Sequence, residues 1–158
     1  MKFLCNSMLG RLAKWLRILG YDTAYLQEKT DKELIELARK EGRILLTRDR
    51  HLSREWLTPT LYIESQEIDD QLTQVVDRYH LDLEENLFCR CPLCNHLLSP
   101  IDKEEVKEGV PPFVYETYHQ FFFCPDCHKT YWPGTHWENI KKKVEEIRGK
   151  DDWAKRRD

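Results

Sequence analysis

The sequence predicts an α/β protein: a parallel sheet flanked by helices over the first half of the chain, followed by a small cysteine-bearing unit. Two observations predict it. Strand-length apolar runs alternate with segments of helical period through residue 80, the order that builds a parallel sheet with crossover helices. Five of the six cysteines then fall between residues 89 and 127, behind an acidic stretch, Asp82-Leu83-Glu84-Glu85-Asn86, in a region with little helical period.

Residues 2–6 read as a short buried strand. From residue 8 to 19, Met8, Leu9, Leu12, Trp15, Leu16 and Leu19 recur at helical spacing, and Gly20 is a helix stop. Residues 23–26 are a second strand. Thr30 opens a second helix, with Glu33 three positions on in a capping-box arrangement and Leu34, Ile35, Leu37 and Ala38 as its inner face. Ile44-Leu45-Leu46, between Gly42 and Thr47, is short and apolar enough for a strand covered on both faces. A short helix over about 50–56, a strand at 61–63 and an amphipathic helix over about 69–79 complete this half. The expected domains are 1–80, then 81–137 with its fold proper from about 87, then a charged helical tail over 138–158.

The chain has 158 residues, 25 Lys plus Arg against 28 Asp plus Glu, and a formal net charge of -3. Residues 1–80 hold 13 basic and 13 acidic side chains, 81–137 hold 4 and 9, and 138–158 hold 8 and 6. Nucleic-acid binding would therefore rest on a local basic stripe rather than on overall charge. No apolar run approaches the roughly 18 residues of a membrane span, and the first residues hold too short an apolar stretch for a signal peptide. A soluble cytoplasmic protein is expected.

Cys91-Pro92-Leu93-Cys94 and Cys124-Pro125-Asp126-Cys127 are two thiolate pairs with 29 residues between them. Each presents two sulfurs from a tight turn, and four such soft ligands close a tetrahedral structural zinc site. The segment between is expected to fold back as a hairpin through Val110-Pro111-Pro112, with metal supplying most of the folding free energy. Cys89 reads as a bystander, because Cys-x-Cys is strained for one ion, and Cys5 as core packing. His96, His119, His128 and His136 form no His-x-x-x-His or His-Glu-x-x-His pair that would mark a catalytic zinc. The run Tyr131-Trp132-Pro133-Gly134-Thr135-His136-Trp137 is either a tight turn packing its indoles on the metal unit or an RNA-contacting surface, with Trp132 and His136 as contacts.

Ligands of an open parallel sheet bind outside the carboxyl ends of its strands. The polar residues expected there are Asn6, Asp31 and Asp49, with Ser7, Thr47 and Arg48 beside them. Carboxylates so placed can hold magnesium or manganese, which neutralises a phosphate and acidifies a water. They can equally serve the backbone: Asp31 by complementing a helix dipole, Asp49 by capping the helix that follows, Asn6 by satisfying a strand end. Asp22 lies at the opposite edge and reads as structural, whereas Asp69 or Asp70 could add a fourth acid. Arg11, Lys14 and Arg17 recur every three residues on one side of the first helix, as a solvated face or as a clamp on RNA phosphates. Arg48 offers a bidentate fork to the same charge.

The stretches Met8-Leu9-Gly10-Arg11-Leu12-Ala13-Lys14-Trp15-Leu16-Arg17, Leu19-Gly20-Tyr21-Asp22-Thr23, Arg43-Ile44-Leu45-Leu46-Thr47-Arg48-Asp49 and Tyr131 to Trp137, with Asp31, Glu33-Leu34, Cys91-Pro92 and Cys94-Asn95, resemble the Mut-seven C-terminal RNase family over about residues 1–140. That family is a PIN-like nuclease domain followed by a zinc ribbon. The resemblance implies a metal-dependent ribonuclease with Asp31 and Asp49 as ligands for magnesium or manganese. It also implies an acid at position 6, where this chain has Asn6. An amide carbonyl can coordinate, but it lacks the charge that binds magnesium and cannot act as a base.

The expected function is hydrolysis of RNA phosphodiester bonds, attenuated by Asn6. A non-catalytic RNA- or protein-binding module that keeps the fold and the zinc is the alternative. A toxin-like nuclease restrained by an inhibitor protein rests on fold analogy alone. A homodimer through exposed apolar positions of the helix over 69–79 is a further expectation.

Overall fold

Phe3, Leu4 and Cys5 are all fully buried, as a strand covered on both faces requires, and they form β1 (Lys2–Cys5) at the inside of a four-stranded sheet. The computed structural model describes residues 1–54 and 56–155, with the side chains of 151–155 excepted. Among them two compact units divide at Asn95 and His96.

In the first unit, β2 (Asp22–Tyr25), β1, β3 (Ile44–Thr47) and β4 (Thr60–Tyr62) lie in the order β2-β1-β3-β4, every neighbour parallel. Cys5 pairs with Tyr25 on one side and Leu46 on the other, so the carboxyl ends of the three strands are level. Helices α1 (Gly10–Ile18), α2 (Asp31–Glu41) and α3 (Ile68–Tyr79) flank the sheet. Leu34 and Ala38 of α2 pack on Leu4, Leu45 and Leu52, while Leu12, Ala13 and Leu16 of α1 and Leu72, Val75 and Val76 of α3 are buried. Leu72, Val75 and Val76 of α3 are thus covered within the unit rather than exposed as expected.

Local signals explain the boundaries. Thr30 and Glu33 form the expected capping box, with Glu33 N donating to Thr30 Oγ1 at 3.2 Å and Thr30 N to Glu33 Oε2 at 2.8 Å. Gly42, left-handed at φ 64°, ends α2. The expected helix over 8–19 begins instead as a 3-10 turn, Ser7–Leu9, and becomes α-helical at Gly10. Met8 therefore leaves the apolar stripe and is 60% exposed. The helix expected over 50–56 is a 3-10 turn at Leu52–Arg54, and Glu55 lies outside the described residues. The acidic stretch is not a free linker: Asp82 Oδ1 accepts the Glu84 and Glu85 amides, and Tyr21 donates its hydroxyl to Asp82 O.

The second unit holds an antiparallel sheet of β5 (Ser99–Ile101), β6 (Phe121–Phe123) and β7 (Thr130–Tyr131), in the order β5-β6-β7. The segment expected as a hairpin is helical: α4 (Lys103–Val106) and α5 (Pro112–Thr117) separate β5 from β6. Val106, Val110 and Val114, spaced four apart, close with Phe121 into its core, and Pro111-Pro112 starts α5, where a missing amide hydrogen costs nothing. Helix α6 (Thr135–Lys155) follows; Ile140, Val144 and Ile147 make it amphipathic rather than wholly solvated. Residues 156–158 of the expected tail lie outside the described residues. Among the described residues no helix is long and apolar enough to cross a membrane.

Candidate active site and metal centre

Asn6 leaves β1 in extended conformation and caps the Ser7–Leu9 turn with its carbonyl, which accepts Leu9 N at 3.0 Å. Its side chain turns inward and is 6% exposed. Asn6 Nδ2 donates to Thr47 Oγ1 at 2.8 Å, and Asp49 N donates to the same oxygen at 2.9 Å. Thr47 is fully buried at the end of β3, so one hydroxyl joins position 6 to the Asp49 loop. Asn6 Oδ1 is buried and meets no hydrogen-bond donor among the described residues. A buried polar oxygen without a partner is costly, and such sites invite a ligand.

Asp49 Oδ1 accepts His51 N at 2.7 Å and Leu52 N at 3.2 Å, so the capping role weighed from the sequence is real. Its second carboxylate oxygen takes no part in that cap. Asp31 is exposed at the first residue of α2, where Thr30 already supplies the cap. The structure thus joins Asn6 to Asp49 through Thr47. Asp31 stands at the start of the helix that follows β2, tied by no hydrogen bond to either among the described residues.

Arg11 and Lys14 are exposed on α1. Arg17 is 7% exposed and donates inward from Nε to Thr23 O at 2.8 Å, so it stands apart from the stripe assigned to it. Three-residue spacing on a helix advances by about 300°, and two such steps carry position 17 off the face of position 11. Arg48 Nη1 donates to Ile63 O at 3.2 Å and Glu64 O at 2.8 Å, clamping the end of β4. Asp22 is structural, as expected: it pairs with Arg43 Nη1 at 2.7 Å and accepts Asn95 Nδ2 at 2.8 Å. Asp70 Oδ2 accepts the Ser65 hydroxyl at 3.1 Å.

The two cysteine pairs are built alike. Asn95 N donates to Cys91 O at 2.9 Å and His128 N to Cys124 O at 2.8 Å. The residue after each pair is left-handed, Asn95 at φ 73° and His128 at φ 58°. Each turn therefore aims two sulfurs the same way, and the four sulfurs of Cys91, Cys94, Cys124 and Cys127 lie within 4.8 Å of one another. Zinc–sulfur bonds of about 2.3 Å set tetrahedral sulfurs about 3.8 Å apart, inside that limit, so the cluster could hold a zinc ion. Cys89 is outside the cluster, with Sγ directed at Gly20 O. Cys5 is fully buried in β1, and burial pushes its thiol up to about 12.

In the second unit Trp132 packs on Phe121 with ring centroids 6.5 Å apart, and Trp137 stacks on Phe122 at 5.7 Å. A Cβ at Gly134 would come to 3.1 Å from Trp132 Nε1, so a larger residue there needs the indole to give by a few tenths of an ångström. Tyr131, Trp132, His136 and Trp137 line a cavity of about 220 Å³, with His136 exposed at its rim.

A family model described as the Mut7-C RNAse domain matches residues 1–144 of the chain. No curated protein and no solved structure matches it.

Proposed function

The chain belongs to the Mut7-C RNAse domain family, and from that premise we propose that it hydrolyses RNA phosphodiester bonds at the carboxyl edge of its parallel sheet, with Asn6, Asp31 and Asp49 holding magnesium or manganese. The observation that carries this reading is the buried, unpartnered Oδ1 of Asn6, fixed by Thr47 beside the Asp49 loop. An oxygen set of one amide and two carboxylates suits a hard divalent cation, although it brings one charge fewer than three acids. Such a cation, when bound, supplies charge to the phosphate and a water acidic enough to attack phosphorus.

Asp31 and Asp49 bring the negative charge, and Asn6 contributes an oriented neutral oxygen. Arg11 and Lys14, exposed on α1, hold RNA phosphates near position 6, and Arg48 adds charge from its guanidinium. Arg17 is left out of this set, its guanidinium being turned inward. Trp132 and His136 extend the RNA-binding surface by stacking and polar contact. Because position 6 is an amide, cleavage is attenuated in this chain.

The test is cleavage of labelled single-stranded and structured RNAs in manganese. Asn6→Asp is expected to cut faster than the native chain, and Asn6→Asp combined with Asp49→Ala to lose that gain. The second reading, an RNA- or protein-binding module without catalysis, is favoured by Asn6 itself. It takes over if RNA binds while neither substitution changes cleavage.

A further inference from the structure

Arg17 is a cation withdrawn from water that makes no salt bridge among the described residues, Asp22 acting on it only through its charge. Its hydrogen-bond partners are three carbonyls: Thr23 O at 2.8 Å from Nε, then Pro92 O and Leu93 O, each at 3.1 Å from Nη1. Pro92 and Leu93 are the two residues between Cys91 and Cys94. A buried charge is costly unless compensated, and carbonyl dipoles compensate a guanidinium only in part. Further negative charge stands next to those carbonyls, where Cys91 and Cys94 act on Arg17 more strongly than Asp22 does. A tetrathiolate zinc centre carries a net charge of about -2, and Cys91 and Cys94 supply half of its sulfurs.

The same turn closes the open edge of the sheet. Strand β2 is at the edge of the order β2-β1-β3-β4, and such an edge leaves backbone groups to be satisfied from outside. At Thr23 they are satisfied by side chains tied to the cysteine turn: Thr23 N donates to Asn95 Oδ1 at 2.9 Å, and Thr23 O accepts from Arg17. Asn95 also donates to Asp22 Oδ1, and Arg90, just before Cys91, donates to Gly20 O at 3.2 Å and Asn95 O at 2.9 Å. The first cysteine turn is thereby sewn to the end of α1 and the edge strand β2.

We propose that Arg17 and Asn95 are positioning residues that couple metal occupancy at Cys91 and Cys94 to the order of the β2 edge, with Arg17 as counter-charge to the thiolates. The zinc centre then acts as a staple of the sheet that carries Asn6 and Asp49, and losing zinc loosens that sheet from its edge. This coupling does not depend on whether the sheet edge cuts RNA. Linkage makes it reciprocal: what disturbs the edge must weaken zinc, and removing zinc must free the edge.

The experiment uses the full zinc-loaded chain and reads two quantities, zinc affinity by competition with a chromogenic chelator and hydrogen exchange at individual amides. Removing zinc from the native chain is expected to speed exchange at Thr23 N–H by about tenfold or more, a typical coupling, while Ile63 N–H, bonded to Thr47 O at the far side of the sheet, changes much less. Arg17→Met, which keeps the stem and removes the charge, is expected to weaken zinc by about tenfold or more, and Arg17→Lys to recover part of that loss. Asn95→Gly keeps the left-handed turn and should speed Thr23 N–H exchange with zinc bound. Equal Thr23 exchange with and without zinc would overturn the proposal, as would equal acceleration at Thr23 and Ile63. Unchanged zinc affinity in Arg17→Met would do the same. If Arg17→Met does not fold, the native exchange comparison and Asn95→Gly decide.

Discussion

Asn6 donates its side-chain amide to Thr47 Oγ1 at 2.8 Å, so the threonine hydroxyl serves position 6 as an acceptor while Asn6 Oδ1 lies buried without a donor. A hydroxyl can also donate. With aspartate at position 6 a carboxylate oxygen would stand in place of Nδ2 and the bond would run in the opposite sense, Thr47 giving its proton to the carboxylate and still accepting Asp49 N. The Thr47 hydroxyl can thus bond an acid at position 6 as well as the amide it meets here, and the second oxygen is left for a cation to compensate. In the proposed reading, this is how one residue lowers metal binding without disturbing the fold around it.

Thr47→Val tests that socket. Valine keeps the shape, but it strips the acceptor from both Asn6 Nδ2 and Asp49 N at a site with no access to water. Each buried donor left unpaired costs about 1–3 kcal/mol. Urea denaturation is expected to show a loss in that range or somewhat above it, whereas Thr47→Ser should retain most of the stability.

Gly20→Ala should be far more damaging than Gly42→Ala. Both residues have positive φ, 94° and 64°, but a Cβ at Gly20 would lie 2.3 Å from Asn86 O, whereas one at Gly42 meets nothing within 4 Å. Gly42→Ala carries only the left-handed penalty of about 1–2 kcal/mol. Gly20→Ala adds a backbone collision, and thermal melting should rank the two accordingly.

Acid should weaken the first unit partly through Asp22. Burial alone would raise its carboxyl, but hydrogen bonds from Arg43 and Asn95, with the charges of Arg43 and Arg90, outweigh this and hold it below the usual carboxylate range. A group whose folded value is depressed adds stability above its unfolded value, about 3.9, and loses it as pH falls through the folded value. The urea midpoint of Asp22→Asn is expected to be lower than native near neutrality and to fall less steeply below about pH 4.

Cys5 should resist alkylation. Its side chain is fully buried and its thiol is pushed up to about 12, so little thiolate forms. Iodoacetamide treatment of the native protein followed by peptide mapping is expected to leave Cys5 unmodified until denaturant is added.

Much of the first unit was legible because its signals are local. The apolar triplets at 3–5 and 44–46, the Thr30–Glu33 capping box and the helix stop at Gly20 each act within a few residues. The paired cysteines were equally legible, since metal chemistry dictates their spacing. What could not be read was non-local. Nothing in the helical pattern around Arg17 says that its partners are the carbonyls of Pro92 and Leu93, 75 and 76 residues later. The helices α4 and α5 were missed because prolines and aromatics obscured the Val106, Val110, Val114 spacing. Thr47 stood beside the candidate acids in the sequence, yet its role comes from Asn6, 41 residues away.

Manganese affinity tests the central claim most directly, because it reads the sheet edge without requiring a known RNA. Titration by electron paramagnetic resonance should be run on the zinc-loaded native chain, on Asn6→Asp, and on Asn6→Asp carrying Asp49→Ala. A full added charge at position 6 is predicted to tighten manganese by about tenfold or more, the scale of a strong local charge effect, and removing Asp49 to abolish the gain. Equal manganese affinity in all three proteins would contradict a metal site built on Asn6, Asp31 and Asp49.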